Sequence, residues 1–162
     1  MTKKPKEMIA LRLDPIDRRK IKAFSGRLAV RESDLIRYAI KRVLAELSPL
    51  GDQTQEGAEL LPAFLGHGPE MSRWLDLSED KLDTILHGDL EDESLRVSKE
   101  DLGMVLMNNQ TTGYANWFVA IIQGEKKPRT EIFTPQVYLD EKYVAPIRDE
   151  KMFAEELERR GG

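Results

Sequence analysis

The 162-residue chain contains no cysteine. That excludes disulfides and thiolate metal sites, and it leads us to expect a protein of a reducing, cytoplasmic compartment. No run of about 18 apolar residues occurs, so no membrane span is expected. The opening Met1-Thr2-Lys3-Lys4-Pro5-Lys6 lacks the apolar stretch of a signal peptide. Histidine is nearly absent: His67 and His87 sit beside glycines, as loop or helix-end residues do, and no metal site is expected from them. Walker loops, dinucleotide fingerprints and Gly-x-Ser-x-Gly elbows are missing too. The four acids within residues 89–93 read as a solvated loop. The expectation is a non-enzymatic protein with no catalytic residues and no cofactor.

Charge is the first positive signal. The net charge is −4, yet residues 1–50 carry 13 Lys and Arg against 6 Asp and Glu, a balance of +7. Residues 51–162 carry 12 against 23, a balance of −11. A basic block joined to an acidic one suggests two jobs, and the basic block suits a phosphate backbone. Turn formers and polar residues follow residue 47. We therefore divide the chain into residues 1–48, a linker at 49–58, and an acidic domain at 59–162.

In residues 6–13 the apolar Ile9, Leu11 and Leu13 alternate with Met8, Ala10 and Arg12, which predicts a strand with one apolar face. Asp14-Pro15 ends it, and the same pair suits the cap and first position of a helix. Ile21, Phe24 and Leu28 follow at steps of three and four. After the turn at residues 30–33, Leu35, Ile36, Ala39, Ile40, Val43, Leu44 and Leu47 predict a second helix with a broad apolar stripe, which Pro49 stops. One strand and two amphipathic helices cannot bury a self-sufficient core, and a lone strand leaves an open edge. This pattern asks for a second copy.

Residues 4–47, with the run Ser33-Asp34-Leu35-Ile36-Arg37-Tyr38-Ala39-Ile40, resemble the ribbon-helix-helix family of the Arc, MetJ and CopG repressors. The resemblance implies an intertwined homodimer whose paired strands enter the major groove of double-stranded DNA. Ile9, Leu11, Leu13, Phe24, Leu35, Ile36 and Ile40 would then form the dimer core. Lys6, Met8, Ala10 and Arg12 would face DNA, with Arg12 as base reader and Met8 and Ala10 limited to apolar contacts. Arg31 and Ser33 would meet phosphate at the start of the second helix, and Lys3 and Lys4 would form a basic arm.

The acidic domain is expected to be mainly helical with a few short strands, so the fold class is α+β. Helices are predicted after Ser78, after Ser98 and over residues 149–160. Residues 114–122 fit a helix or a buried strand, and residues 132–144 suggest short strands. Residues 95–122 faintly echo the first module, although an unrelated domain is the preferred reading. Together these features suggest a transcriptional repressor or regulator that binds operator DNA as a dimer, with residues 59–162 serving a protein partner or a higher oligomer. The rivals are a plasmid-transfer or partition accessory protein, an antitoxin, and an interaction protein that has lost DNA binding.

Overall fold

Asp14 and Pro15 start the first helix. The Asp14 side chain accepts from the Ile16 N–H at 2.6 Å, and Pro15 occupies a position where a missing N–H costs nothing. In the computed structural model, residues 10–88, 90–107 and 111–161 are described. They divide into two compact units, residues 1–46 and 47–162.

In the first unit, helix α1 (Pro15–Leu28) and helix α2 (Glu32–Glu46) pack as a pair. Between them Ala29 adopts the left-handed conformation, φ 54°. Its N–H donates to the Gly26 carbonyl, and the Val30 N–H reaches back to the Ser25 carbonyl at 3.0 Å. This is the usual way to satisfy the last carbonyls of a helix, done here without the glycine that makes it cheap. Ser25 is the one buried residue among the described residues of this unit. Its hydroxyl donates to the Lys22 carbonyl at 3.1 Å.

The expected α+β class is corrected here: the described residues form helices and no strand. Ala10, Leu11, Arg12 and Leu13 are exposed and lack regular structure, so the alternation of residues 6–13 does not produce a strand in the part that is described. A strand needs a hydrogen-bonded neighbour, and the described residues supply none. Lys3, Lys4, Lys6, Met8 and Ile9 lie outside the described residues.

The second unit is also helical. Ser48–Gly51 and Gly57–Ala63 are 3-10 turns. The second turn carries Ala58, Leu61 and Ala63 into the core, so the stretch read as a linker ends inside a folded unit. Helix α3 (Gly68–Leu75) packs on helix α5 (Lys99–Met107). The approach is close: a Cβ on Gly68 would fall 2.1 Å from the Val105 carbonyl oxygen. Helix α4 (Glu79–His87) starts at Ser78, whose hydroxyl accepts from the Lys81 N–H, and buries Leu82 and Leu86. At its end the His87 Nε2 accepts from the Val97 N–H at 3.0 Å.

Thr111 caps helix α6 (Thr112–Ile122), so the ambiguous 114–122 segment is a helix. The strands expected in residues 132–144 are absent. Thr134 caps helix α7 (Pro135–Leu139), Pro135 fits its first turn, and Tyr138 and Leu139 turn into the core. There, capping and burial outweigh β-propensity. The echo of a second strand–helix–helix module fails likewise, since Glu93–Leu95 is a 3-10 turn and Arg96 and Val97 have no strand partner. A π turn, Asp140–Val144, leads from α7 into helix α8 (Ala145–Gly161). Tyr114, Trp117, Phe118, Phe133 and Tyr138 form one ring cluster between α6 and α7, with centroids 5.7–6.4 Å apart.

Candidate nucleic-acid interface

Helix α1 has two chemically different faces. Pro15, Arg18, Arg19 and Lys22 follow one another at i, i+3, i+4 and i+7, which places them on one side. Ile21, Phe24 and Leu28 occupy the opposite side. The basic side opens into a shallow depression of about 370 Å³ lined by Pro15, Arg18, Arg19, Lys22 and Glu32. Arg19 is steadied by a hydrogen bond from its Nε to the Pro15 carbonyl at 3.3 Å. Three cations against one carboxylate make this an anion-attracting hollow, and Glu32 lowers its potential.

The sequence signals pointed elsewhere. Arg31, read as a phosphate contact, is held by Asp34: its Nε donates to Oδ2 at 2.7 Å and its Nη2 to Oδ1 at 3.2 Å. Arg37 donates to the same Oδ1 at 2.8 Å. The hydrogen bond from Arg31 holds the Asp34 carboxyl below the ordinary range, and Asp34 in turn raises the Arg31 guanidinium. An Arg31 engaged in this way must leave Asp34 to meet a phosphate. Ser33 is exposed in the first turn of α2, and Ala10 and Arg12 are exposed ahead of α1. By contrast, Arg12, Arg18, Lys22, Arg27 and Lys41 form no ion pair among the described residues. Arg18, Arg19 and Lys22 were missed as site residues. Their i, i+3, i+4, i+7 spacing from Pro15 was the signal that would have found them.

The apolar residues read as dimer core are uncovered. Leu11, Leu13, Phe24 and Ile40 are exposed, while Leu35 and Ile36 are half-buried. With Ile16, Leu28, Val30, Tyr38, Val43 and Leu44, the first unit exposes ten large apolar side chains. At about 100 Å² each, they leave on the order of 1,000 Å² of apolar surface, comparable to the ~800 Å² per partner of a standard interface.

The second unit holds a polar cluster that the sequence did not announce. Asp101 is buried, and its Oδ2 accepts from Lys142 Nζ and from the Tyr143 hydroxyl, both at 2.7 Å. Lys142 also donates to the Tyr138 hydroxyl at 3.0 Å. The backbone N–H of Ser98 donates to the Tyr143 hydroxyl at 3.1 Å. Burial raises the Asp101 carboxyl, but hydrogen bonds from Lys142, Tyr143 and Ser98 outweigh it and hold the group below the usual carboxylate range. Burial likewise opposes the Lys142 charge, and its bonds to Asp101, Tyr138 and Tyr143 reverse that and raise it. The π turn presents both Lys142 and Tyr143 to Asp101, while its Glu141 turns to Trp117 Nε1 and the Arg129 N–H, each at 3.0 Å. No buried polar side-chain atom is left without a partner among the described residues, so the cluster is closed on itself. Among the described residues no three His, Cys, Asp or Glu side chains gather as metal ligands. No described helix is long and apolar enough to cross a membrane. No protein-family model, no curated protein and no solved structure matches the chain.

Proposed function

We propose that the chain is a DNA-binding regulator that dimerises through its first unit and meets double-stranded DNA with the basic face of α1. The observation that carries this reading is the division of α1 into a basic side and an uncovered apolar side, in a unit whose sole buried described residue is Ser25. A second copy covers the apolar side. The basic side stays free for phosphate, and Arg12, just ahead of α1, supplies a guanidinium able to grip a guanine edge. The second unit folds around a core of its own. That favours a regulator or a DNA-transfer accessory protein with a partner-binding domain over an antitoxin with a short masking tail.

The test uses the full chain in two variants. Phe24→Asp places a charge on the exposed apolar side and is expected to yield a folded monomer. Arg18→Ala/Arg19→Ala/Lys22→Ala is expected to remain a dimer and to lose DNA affinity. A wild-type chain that is monomeric at micromolar concentration in light scattering, and that binds DNA no better than the triple variant, overturns the proposal.

A further inference from the structure

The second unit carries a hollow of about 830 Å³ between residues 50–60 on one side and the end of α4 with residues 90–91 on the other. That volume falls within the ~300–1,000 Å³ of ordinary ligand sites. Leu60 and Leu86 are buried at its base, while Leu50 and Ile85 line it with 40% and 44% of their surface uncovered. Three carboxylates, Asp52, Glu56 and Glu91, line the same hollow, and no Lys, Arg or His does. Neutral donors fix two of them. Asp52 Oδ1 accepts from the Thr54 N–H at 3.0 Å and from the Thr54 hydroxyl at 2.7 Å, and these bonds hold its carboxyl below the usual range. Glu56 Oε2 accepts from the Glu91 N–H at 3.4 Å, a bond across 35 residues that ties the two walls together. The bases of this unit that could answer them are taken. Lys151, whose charge reaches Asp52, is paired with Glu59, Lys81 with Asp76, and Arg96 with Glu93. Among the described residues none of the three carboxylates has a cationic partner.

We propose that this hollow docks a basic, amphipathic segment of a partner protein, one that carries several Lys or Arg side chains among apolar ones. The proposal rests on the reading of the second unit as a partner-binding domain, and not on DNA binding by the first. Charge selects the occupant. DNA and anionic membranes have the wrong sign for three uncompensated carboxylates. A purely apolar partner would strip water from those carboxylates and offer nothing in return. A small molecule with a single positive charge answers one carboxylate of three. Lys and Arg meet both demands, because their apolar stems can lie along Leu50 and Ile85 while their charged heads reach Asp52, Glu56 and Glu91. Two of these acids, Asp52 and Glu91, are exposed, so each ion pair adds little to affinity. Apolar contact with Leu50 and Ile85 supplies most of the binding, and the acids decide which segments are admitted.

The probe is a capped peptide, Ala-Leu-Lys-Arg-Leu-Lys-Leu-Ala, titrated into the isotope-labelled full chain and followed by nuclear magnetic resonance. It is expected to shift the backbone amide signals of Thr54, Gln55 and Ile85. The same peptide with Glu at each basic position is expected to leave those signals unmoved. Asp52→Asn/Glu91→Gln is expected to weaken binding by about tenfold. Asn keeps an oxygen for the Thr54 N–H, so the loop is retained while the charge goes. Ile85→Ser is expected to weaken binding as well, and Ile85→Val to keep it. Three results overturn the proposal: no shift at these amides with millimolar basic peptide, equal shifts from the acidic peptide, or equal affinity in wild type and Asp52→Asn/Glu91→Gln. If the basic peptide binds here while Arg18→Ala/Arg19→Ala/Lys22→Ala leaves DNA affinity unchanged, the docking site stands and DNA binding through α1 fails. If the triple variant loses DNA affinity and the peptide does not bind, the reverse holds, so the two readings fall separately.

Discussion

Lys142 Nζ lies 2.7 Å from the Oδ2 of Asp101, an ion pair spanning 41 residues that ties the π turn to the first turn of α5. The carboxylate is buried and the lysine is partly exposed. Removing the lysine leaves a buried charge with hydroxyl partners alone. Lys142→Met is expected to destabilise the chain by about 1–3 kcal/mol in urea denaturation, below the cost of breaking a fully buried pair because solvent already reaches Nζ. Tyr143→Phe removes a neutral donor and is expected to cost about 1 kcal/mol.

The same pair sets a pH window. The folded-state carboxyl of Asp101 is depressed, so its contribution is present above the unfolded value of about 4 and is lost as pH falls through the folded value. Lys142 is raised, so its contribution is full below about pH 10 and is lost as pH climbs through the folded value. Stability from this pair is expected to be flat across neutral pH. Asp101→Asn is expected to lower the neutral plateau and to flatten the acid limb. An acid limb as steep as that of wild type would place the acid sensitivity in other carboxylates.

Two glycines with opposite surroundings give a paired test of the packing. A Cβ on Gly68 meets the Val105 carbonyl oxygen at 2.1 Å, a backbone atom that has nowhere to go. Gly68→Ala is therefore expected to separate α3 from α5 and cost about 2–4 kcal/mol. Gly26 lies inside α1 with nothing within 4 Å of its would-be Cβ. Gly26→Ala is expected to stabilise the first unit by about 0.5–1 kcal/mol, through helix propensity and a stiffer unfolded chain. Thermal unfolding of both variants measures the contrast.

Helix starts were legible in the sequence where a side chain writes them locally. Asp14-Pro15 and Ser78 cap the helices that follow them, because a cap is decided within three residues. Residues 10–13, the described part of the expected first strand, and residues 132–144 were misread for one shared reason. Alternation and β-branching report a side-chain pattern, whereas a strand also needs a neighbour to complete its hydrogen bonds, and that neighbour is a long-range fact. The Asp101 cluster was invisible for the same reason: Ser98 and Asp101 form one local group, Tyr138, Lys142 and Tyr143 another, and the two, joined by bonds that span 41, 42 and 45 residues, meet through a π turn that no local signal marks. At the candidate interface, Arg12 and Ser33 were singled out and remain exposed, whereas Arg31 was credited without weighing Asp34 three residues on.

Ala29 carries the one left-handed backbone conformation in the first unit's described residues. An L-residue with a Cβ pays about 1–2 kcal/mol there, and glycine does not. Ala29→Gly is expected to raise stability by about 0.5–1 kcal/mol, net of the entropy that glycine adds to the unfolded chain. A loss of stability would mean that the turn between α1 and α2 relaxes to another conformation in solution.

If the first unit binds DNA as proposed, salt dependence is expected to separate its cations. Each phosphate neutralised by a bound cation releases counterions, so every contact removed lowers the slope of log affinity against log salt by about 0.9. Arg18, Arg19 and Lys22 line one hollow, and neither Arg18 nor Lys22 is ion-paired among the described residues. Arg18→Ala/Arg19→Ala/Lys22→Ala is expected to reduce the slope by about 2–3, equally on operator and random duplexes. Arg31 starts from an ion pair with Asp34, and moving it to a phosphate trades one anion for another. Arg31→Ala is therefore expected to change the slope by much less than one full contact. Arg12→Ala is expected to behave differently again, with a loss of about 1–3 kcal/mol on the preferred sequence and little on random DNA, because a bidentate contact to a base edge carries sequence information. If Arg31→Ala lowers the slope as much as Arg18→Ala does, the Asp34 pair opens on binding and the phosphate track runs over the start of α2 rather than along α1.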